Sequence, residues 1–230
     1  AVKMLGERAG VALPQTSMSE EDRKERGIRD RLLEINKIAA TYYYRQLRSE
    51  NGKAGLDYLK KCELSDSTIN SFGLGYATQS TGNLYKLLKD KGYDDDILKE
   101  SGLFTYERGI HEKFWNRVIF PIMDINNKVI GFGGRVMGDA KPKYLNSPET
   151  RLFDKSRNLY GLNIARMSRK PNMIICEGYM DVISMHQAGF NQAVASLGTA
   201  LTPGHARLLK RYTDNVLITY DSDEAGVKAA

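Results

Sequence analysis

The chain has 230 residues, 41% of them hydrophobic and 27% charged, which is the ordinary balance of a globular protein able to bury a core. Its apolar runs are shorter than the roughly 18 residues that a membrane-spanning helix needs, and its start lacks a signal-peptide pattern. The two cysteines, Cys62 and Cys176, are too few for a cysteine-rich zinc site and favour free thiols in the reducing cytoplasm.

Positive charge is concentrated in one segment. The chain has a net charge of +6, and residues 107–170 contain 13 Lys and Arg against 6 Asp and Glu. The surplus of this segment therefore exceeds that of the whole chain. Such a concentration favours a phosphate-rich partner, with a merely solvated basic face as the alternative.

The first hundred residues are predicted to be mainly helical. Apolar residues recur at helical spacing over about 19–50, and Asn51-Gly52 is a typical helix stop. Ser65 is suited to cap a later helix, because its hydroxyl can accept a backbone N–H. Shorter helices are expected at 53–61, after Ser65, at 81–90 and at 94–101, with a strand at 71–77.

The segment "RVIFPIMDINNKVIGFGGRV" (117–136) contains two β-rich runs. They meet at Asn126-Asn127, and asparagine tolerates the positive φ that tight hairpin turns require. We therefore expect a β-hairpin here.

From about residue 158, strands and helices alternate. Three short apolar runs are separated by two amphipathic ones, and the links are short. This βαβαβ order predicts a parallel sheet, in which ligands bind at the carboxyl ends of the strands. The strands are expected at 173–176, 192–197 and 215–221, and the helices at 179–189 and 202–212.

Carboxylates follow two of these strands where each one ends. "IICEGYMD" (174–181) places Glu177 after the first strand, and "YDSD" places Asp221 and Asp223 after the third. If those strands are neighbours, the three acids converge at one edge, and Asp181 joins them from the first turn of the helix. Such a cluster would repel itself without a cation. Oxygen-only ligands at a water-accessible edge favour Mg²⁺.

Each acid also has a purely structural interpretation. Asp181 could simply complement the positive end of its helix. Asp221 and Asp223 could form a polar turn that caps the next helix. The presence of two acidic strand ends within one βαβαβ unit favours the metal interpretation.

These motifs resemble a known family. "EGYMDV" followed by "YDSDEAG" resembles the Toprim domain, which bacterial primases, type IA and type II topoisomerases and small nucleases share. Residues 107–162 resemble the RNA-polymerase core of the bacterial replicative DNA primases of the DnaG type. The likeness runs from about residue 16 to residue 230.

The resemblance implies two subdomains. An α+β N-terminal subdomain would occupy 16–157, and an α/β Toprim subdomain with a Rossmann-like parallel sheet would occupy 158–230, truncated at its C-terminus. Residues 1–15 resemble the exit from a zinc-ribbon domain, so zinc would belong only to a domain absent from this sequence.

The implied activity is DNA-directed synthesis of short RNA primers from ribonucleoside triphosphates on a single-stranded DNA template, using two Mg²⁺ or Mn²⁺ ions. Glu177, Asp221 and Asp223 match the metal-binding acids of the family, and Asp181 matches its accessory acid. The family's replicative helicase would bind through a C-terminal domain absent here, and the protein would work in the bacterial cytoplasm, associated with the nucleoid.

The same resemblance implies a nucleotide- and nucleic-acid-binding set. Arg135, Lys143 and Lys155 correspond to basic residues of the family. Arg117 would extend this basic track, or be an exposed strand residue. Asn146 is a further polar contact, and Tyr144 could stack on a base or pack in the core.

Two departures from the family are visible. The family's further Asp-Pro-Asp motif has no counterpart before Ala230, and Cys62-Glu63 replaces an Arg-Gly pair. Two alternatives to a primase therefore stay open. One is a Toprim nuclease or topoisomerase-like enzyme, and the other is a catalytically incomplete fragment that binds single-stranded DNA.

Overall fold

The computed structural model describes residues 19–107 and 109–220. Within those ranges, no helix combines the length and the apolarity that crossing a membrane requires.

A long first helix, α1 (Glu20–Leu47), confirms the predicted periodicity. It begins at Ser19, whose hydroxyl accepts the N–H of Asp22 at 3.0 Å, while Asp22 accepts the N–H of Ser19 in return. This reciprocal cap satisfies backbone donors that the first turn would otherwise leave free. The apolar face of the helix is buried and comprises Leu32, Ile35, Ala39, Tyr43 and Leu47.

Four shorter helices follow and match the predicted positions. Ser65 caps the second of them by accepting the N–H of Thr68 at 3.1 Å, as expected. After a 3-10 turn at Glu50–Gly52, the helices are α2 (Lys53–Lys61), α3 (Asp66–Ser71), α4 (Asn83–Asp90) and α5 (Asp95–Glu100).

Six strands form an antiparallel sheet and a small hairpin. They are β1 (Gly75–Ala77), β2 (Phe104–Thr105), β3 (His111–Glu112), β4 (Arg117–Met123), β5 (Val129–Val136) and β6 (Tyr144–Asn146). The sheet has the order β1-β4-β5-β6, and the β4–β5 turn contains Asn127 at a φ of 60°, which confirms the predicted hairpin. The short pair β2–β3 and the edge strand β6 were not predicted from the sequence.

The last third of the described chain is a parallel βαβαβ unit, as predicted. After a short helix α6 (Leu162–Ala165), its elements are β7 (Met173–Cys176), α7 (Tyr179–Gln187), β8 (Ala193–Ala195), α8 (Pro203–Leu209) and β9 (Val216–Thr219). The sheet has the order β8-β7-β9, so the first and third strands of the unit are neighbours.

One hydrophobic core joins the two sheets. It contains Phe120 and Phe153 from the first half together with Ile174 and Tyr179 from the second. Tyr160 and Ala195 exchange backbone hydrogen bonds of 2.8 and 3.2 Å, so the chain is already attached to the parallel sheet at residue 160. The mixed unit followed by a parallel sheet confirms the predicted fold class, while the subdomain boundaries stay a prediction.

Candidate functional site

The central strand β7 ends at the edge where the sequence predicted a site. Cys176 lies opposite Thr219 of β9 in the parallel register, so Glu177 and Tyr220 emerge at the same edge of the sheet. Burial raises the pKa of Tyr220, and the nearby negative charge of Glu177 raises it further. Asp221 and Asp223 lie outside the described residues, so their convergence on Glu177 stays a prediction.

Asp181 caps a helix, as one interpretation predicted, and its role in a metal site stays a prediction. Its carboxylate accepts the backbone N–H of Gly178 at 3.0 Å and so caps α7. The side chain is nevertheless exposed, and its charge contributes to raising the pKa of Cys176, for which burial is the larger cause. The carboxylate that caps α7 therefore lies at the same edge of the sheet as Glu177.

A pocket of about 420 Å³ opens at this edge. It brings together five of the predicted site residues from both sheets. These are Lys143, Tyr144, Asn146, Glu177 and Asp181. A larger cavity of about 650 Å³ runs along α1 and contains none of the predicted site residues.

Asn146 links the two walls of the pocket. Its Oδ1 accepts the hydroxyl of Tyr179 at 2.7 Å, and its Nδ2 donates to the carbonyl of Leu197 at 2.9 Å. Both ends of the amide are thereby held by the protein. Sequence reasoning missed Tyr179, although Gly133 in "GFGGRV", opposite Asn146 in the sheet, signals a space for a large neighbour.

Tyr144 is partly packed against other aromatic rings and partly exposed. Its ring centroid lies 6.3 Å from that of Tyr179 and 6.5 Å from that of Phe120, while 39% of the residue remains exposed. Burial raises the pKa of Tyr144, and the charge of Arg135 partly opposes that rise. Part of the residue is therefore accessible while the rest belongs to the core, and stacking on a base stays a prediction.

Arg135 is held over an aromatic ring. It lies opposite Tyr144 in the β5–β6 register, and its guanidinium carbon is 4.2 Å from the ring centroid of Tyr58 on α2. Its Nη1 donates to the carbonyl of Val136 at 3.2 Å. These contacts orient a half-buried cation beside the pocket, and Tyr58 is a supporting residue that the sequence analysis missed.

Arg117 is not the exposed strand residue that one interpretation predicted. It is only 5% exposed, and its Nη1 donates to the carbonyls of Gly134 at 3.1 Å and Pro142 at 3.0 Å. The guanidinium thus ties β4 to the connection between β5 and β6. This placement favours a structural role for Arg117 over a contact with nucleic acid.

Lys143 and Lys155 lie in different places. Lys143 is exposed at the pocket. Lys155 is half-buried and does not line that pocket; its N–H donates to Glu149 at 3.1 Å and its carbonyl lies 2.8 Å from His205 Nε2. The structure therefore brings Lys143 into the candidate site but not Lys155.

The Cys62-Glu63 departure lies at the end of α2. Cys62 is the half-buried C-cap, and Glu63 has a φ of 59°. That left-handed conformation favours glycine, so a residue with a Cβ is strained at this position.

Comparisons with known proteins agree with this geometry. Residues 42–166 match the family described as the DNA primase catalytic core, N-terminal domain, and residues 174–230 match a Toprim-like family. The DNA primase of Clostridium acetobutylicum is 46% identical over 231 residues, covering all of this chain and 38% of that protein. The DNA primase of Deinococcus radiodurans is 46% identical over 237 residues, covering all of this chain and 39% of that protein.

Solved structures give the same result. A DnaG primase catalytic domain bound to ssDNA matches with a TM-score of 0.82 and 40% identity, covering 88% of this chain and 65% of that one. The E. coli primase catalytic core matches with a TM-score of 0.79 and 41% identity, covering 86% and 64%.

The chain spans about two fifths of the length of the curated relatives it matches. The first matched family alone covers more than half of the chain, and the relatives share 46% of its residues. The chain therefore belongs to the bacterial DnaG-type DNA primase family.

Proposed function

We propose that the protein containing this chain synthesises short RNA primers on single-stranded DNA by joining ribonucleoside triphosphates. The observation that carries the proposal is the parallel pairing of β7 with β9, which puts Glu177 at the edge lined by Lys143, Tyr144 and Asp181. A related catalytic domain is described as bound to ssDNA, which supports a DNA template as partner.

The described residues suit the parts of this reaction that involve binding. Lys143 supplies an exposed positive charge to a phosphate, and Arg135 supplies a planar guanidinium already oriented by Tyr58. Tyr144 presents a partly exposed ring on which a base can stack. The fixed amide of Asn146 keeps the two walls together around these groups.

The donor set fits a hard divalent cation such as Mg²⁺, or Mn²⁺ in its place. Glu177 and Asp181 are exposed carboxylates at one edge of the sheet. Among the described residues no group of three or more metal-binding side chains occurs, so we assign the remaining ligands to Asp221 and Asp223. When bound, two such ions would favour ionisation of the primer 3′-hydroxyl and neutralise the leaving pyrophosphate.

The remaining partners follow from this function. They are the ribonucleoside triphosphates, the growing RNA primer and the replicative helicase. We assign the binding of the helicase to a part of the protein outside this sequence. The site of action would be the cytoplasm, at the bacterial nucleoid. Lys155 stays a proposed nucleic-acid contact away from the pocket.

Primer synthesis tests the proposal directly. Labelled ribonucleotides, a short single-stranded DNA template and Mg²⁺ or Mn²⁺ would be incubated with this chain and with the full-length protein. We expect labelled oligoribonucleotides that disappear in Glu177→Gln and Asp221→Ala, and that persist in Glu50→Gln, an exposed carboxylate on the 3-10 turn.

Two results would contradict it. Strand nicking without incorporation would indicate a Toprim nuclease. Salt-sensitive DNA binding by the full-length protein, with neither nicking nor synthesis, would indicate a binding protein without catalysis.

A further inference from the structure

A second charged cavity lies beside α8, outside the pocket described above. Its volume is about 390 Å³, and three arginines line it. Arg207 and Arg211 are four residues apart and share one side of the helix and its following turn, while Arg157 comes from the segment before α6. All three side chains are exposed. The lining is completed by Gly204 and Leu208.

The cavity has a rigid base. The hydroxyl of Thr202 donates to the carbonyl of Ser156 at 2.6 Å, and Nε2 of the fully buried His205 lies 2.8 Å from the carbonyl of Lys155. A Cβ on Gly204 would come 2.5 Å from the carbonyl of Ser156, so only glycine permits this approach. These contacts fix α8 against residues 155–157, the two backbone segments from which the arginines project.

Of the three cavity arginines, only Arg157 has an ion-pair partner among the described residues. Arg157 has an exposed carboxylate, Asp154, at 3.4 Å. Arg207 and Arg211 form no ion pair with any residue of the described ranges. Guanidinium groups gathered at one cavity repel each other unless an anion lies between them.

A purely structural account covers only part of this arrangement. Cations near the end of a helix interact favourably with its negative pole, which suits Arg207 and Arg211 on α8. Arg157 is not on that helix, yet it lines the same cavity. Arginines that meet at one cavity from two separate segments are well placed to bind the same anion.

We propose that this arginine cavity binds backbone phosphates of the polynucleotide on which the protein acts. The inference rests on the proposed function, because that function supplies the polynucleotide. Planar guanidinium groups bind phosphate oxygens in pairs, so several arginines suit a sugar–phosphate chain. The connection into α8 begins with Ser196 and Gly198, which line the candidate site, and Lys155 precedes Arg157 by two positions.

The test compares a double variant with a control of equal charge. Arg207→Gln/Arg211→Gln removes two cavity cations, and Lys24→Gln/Lys86→Gln removes two exposed cations from α1 and α4. Fluorescence anisotropy would report the binding of labelled single-stranded DNA, of an RNA–DNA hybrid and of labelled ATP from 50 to 300 mM salt. Circular dichroism and thermal melting would check the fold.

For the cavity variant we expect a loss of polynucleotide affinity of roughly tenfold at 0.1 M salt and a log–log salt slope smaller by about 1.4. A loss limited to one polynucleotide identifies the template strand or the hybrid as the source of the phosphate. If the variant behaves like the control, or if only ATP binding weakens, this inference is wrong while the proposed function stands. If wild-type protein shows no salt-dependent polynucleotide binding, both fail.

Discussion

The hydroxyl of Tyr179 donates a 2.7 Å hydrogen bond to Oδ1 of Asn146, which joins the first turn of α7 to the edge strand β6. The ring of Tyr179 fits over Gly133, where a Cβ would come 2.4 Å from the phenol oxygen. We expect Gly133→Ala to displace Tyr179 and lower the free energy of unfolding by about 1–3 kcal/mol, measured by urea denaturation. Gly27→Ala is the control, because its Cβ on α1 meets nothing within 4 Å. That change should raise stability by about 0.5–1 kcal/mol.

Tyr58 should act on nucleic-acid binding through Arg135. The guanidinium of Arg135 lies over its ring, so Tyr58→Leu removes the cation–π contact, worth about 0.5–1 kcal/mol at an exposed site. We expect ssDNA affinity to fall roughly 2- to 5-fold in Tyr58→Leu and to be retained in Tyr58→Phe, as measured by anisotropy. Equal losses in the two variants would show that the phenol hydroxyl, and not the ring, is what matters.

A variant of Arg117 distinguishes a structural role of this buried residue from a contact with nucleic acid. Arg117→Leu leaves the carbonyls of Gly134 and Pro142 without a charged donor. Losing such bonds should lower the free energy of unfolding by roughly 2–3 kcal/mol. If Arg117 instead contacts DNA, the variant will keep wild-type stability while its salt slope for ssDNA falls by about 0.7.

Replacing Glu63 with glycine should increase the stability of the protein. Its φ of 59° is strained for a residue with a Cβ, whereas glycine adopts this conformation freely. Glu63→Gly should therefore raise the free energy of unfolding by roughly 0.5–1 kcal/mol, measured by chemical denaturation. Glu50→Gly, at the start of the 3-10 turn, is the control and should not stabilise the protein.

Glu112 should make stability depend on pH. Its carboxylate accepts the N–H of Leu84 at 2.7 Å at the start of α4, yet burial is the larger effect and raises the pKa of Glu112. A raised pKa in the folded state means that the contribution of Glu112 is complete below the unfolded value of about 4.3 and is lost as pH rises through the folded value.

Glu112→Gln keeps the acceptor oxygen and removes the charge. As the pH rises from 4 to 7, the free energy of unfolding of this variant should therefore increase relative to that of the wild type. A difference between the two proteins that stays constant over this range would contradict the prediction.

Much of the fold could be predicted because its signals are local. The cap at Ser65, the turn at Asn127 and the apolar run of β7 each depend on a few adjacent residues. The short strands β2, β3 and β6 carry no such signal, since they do not lie in a longer apolar run as the equally short β1 and β8 do. They exist because neighbouring strands supply their hydrogen bonds.

The position of Glu177 in the candidate site could be predicted, whereas the residues that support the site could not. The βαβαβ pattern predicts parallel strands, which brings Glu177 to the expected edge, but the sequence left open whether β7 and β9 are neighbours. The roles of Tyr58 and Tyr179 depend on contacts between residues far apart in the sequence, which periodicity does not reveal. The sequence shows that Arg117 lies in a basic segment. It does not show that Arg117 is buried, because the burial depends on backbone carbonyls that only the folded chain brings close to it.

The link between Tyr179 and Asn146 has a consequence for how ligands enter. One wall of the pocket comes from each sheet, and the shared core and this bond hold the walls together before any ligand arrives. Little conformational entropy is then lost at the moment of binding, so recognition favours ligands that already match the cleft. Any change that loosens Tyr179 should therefore weaken affinity and stability together.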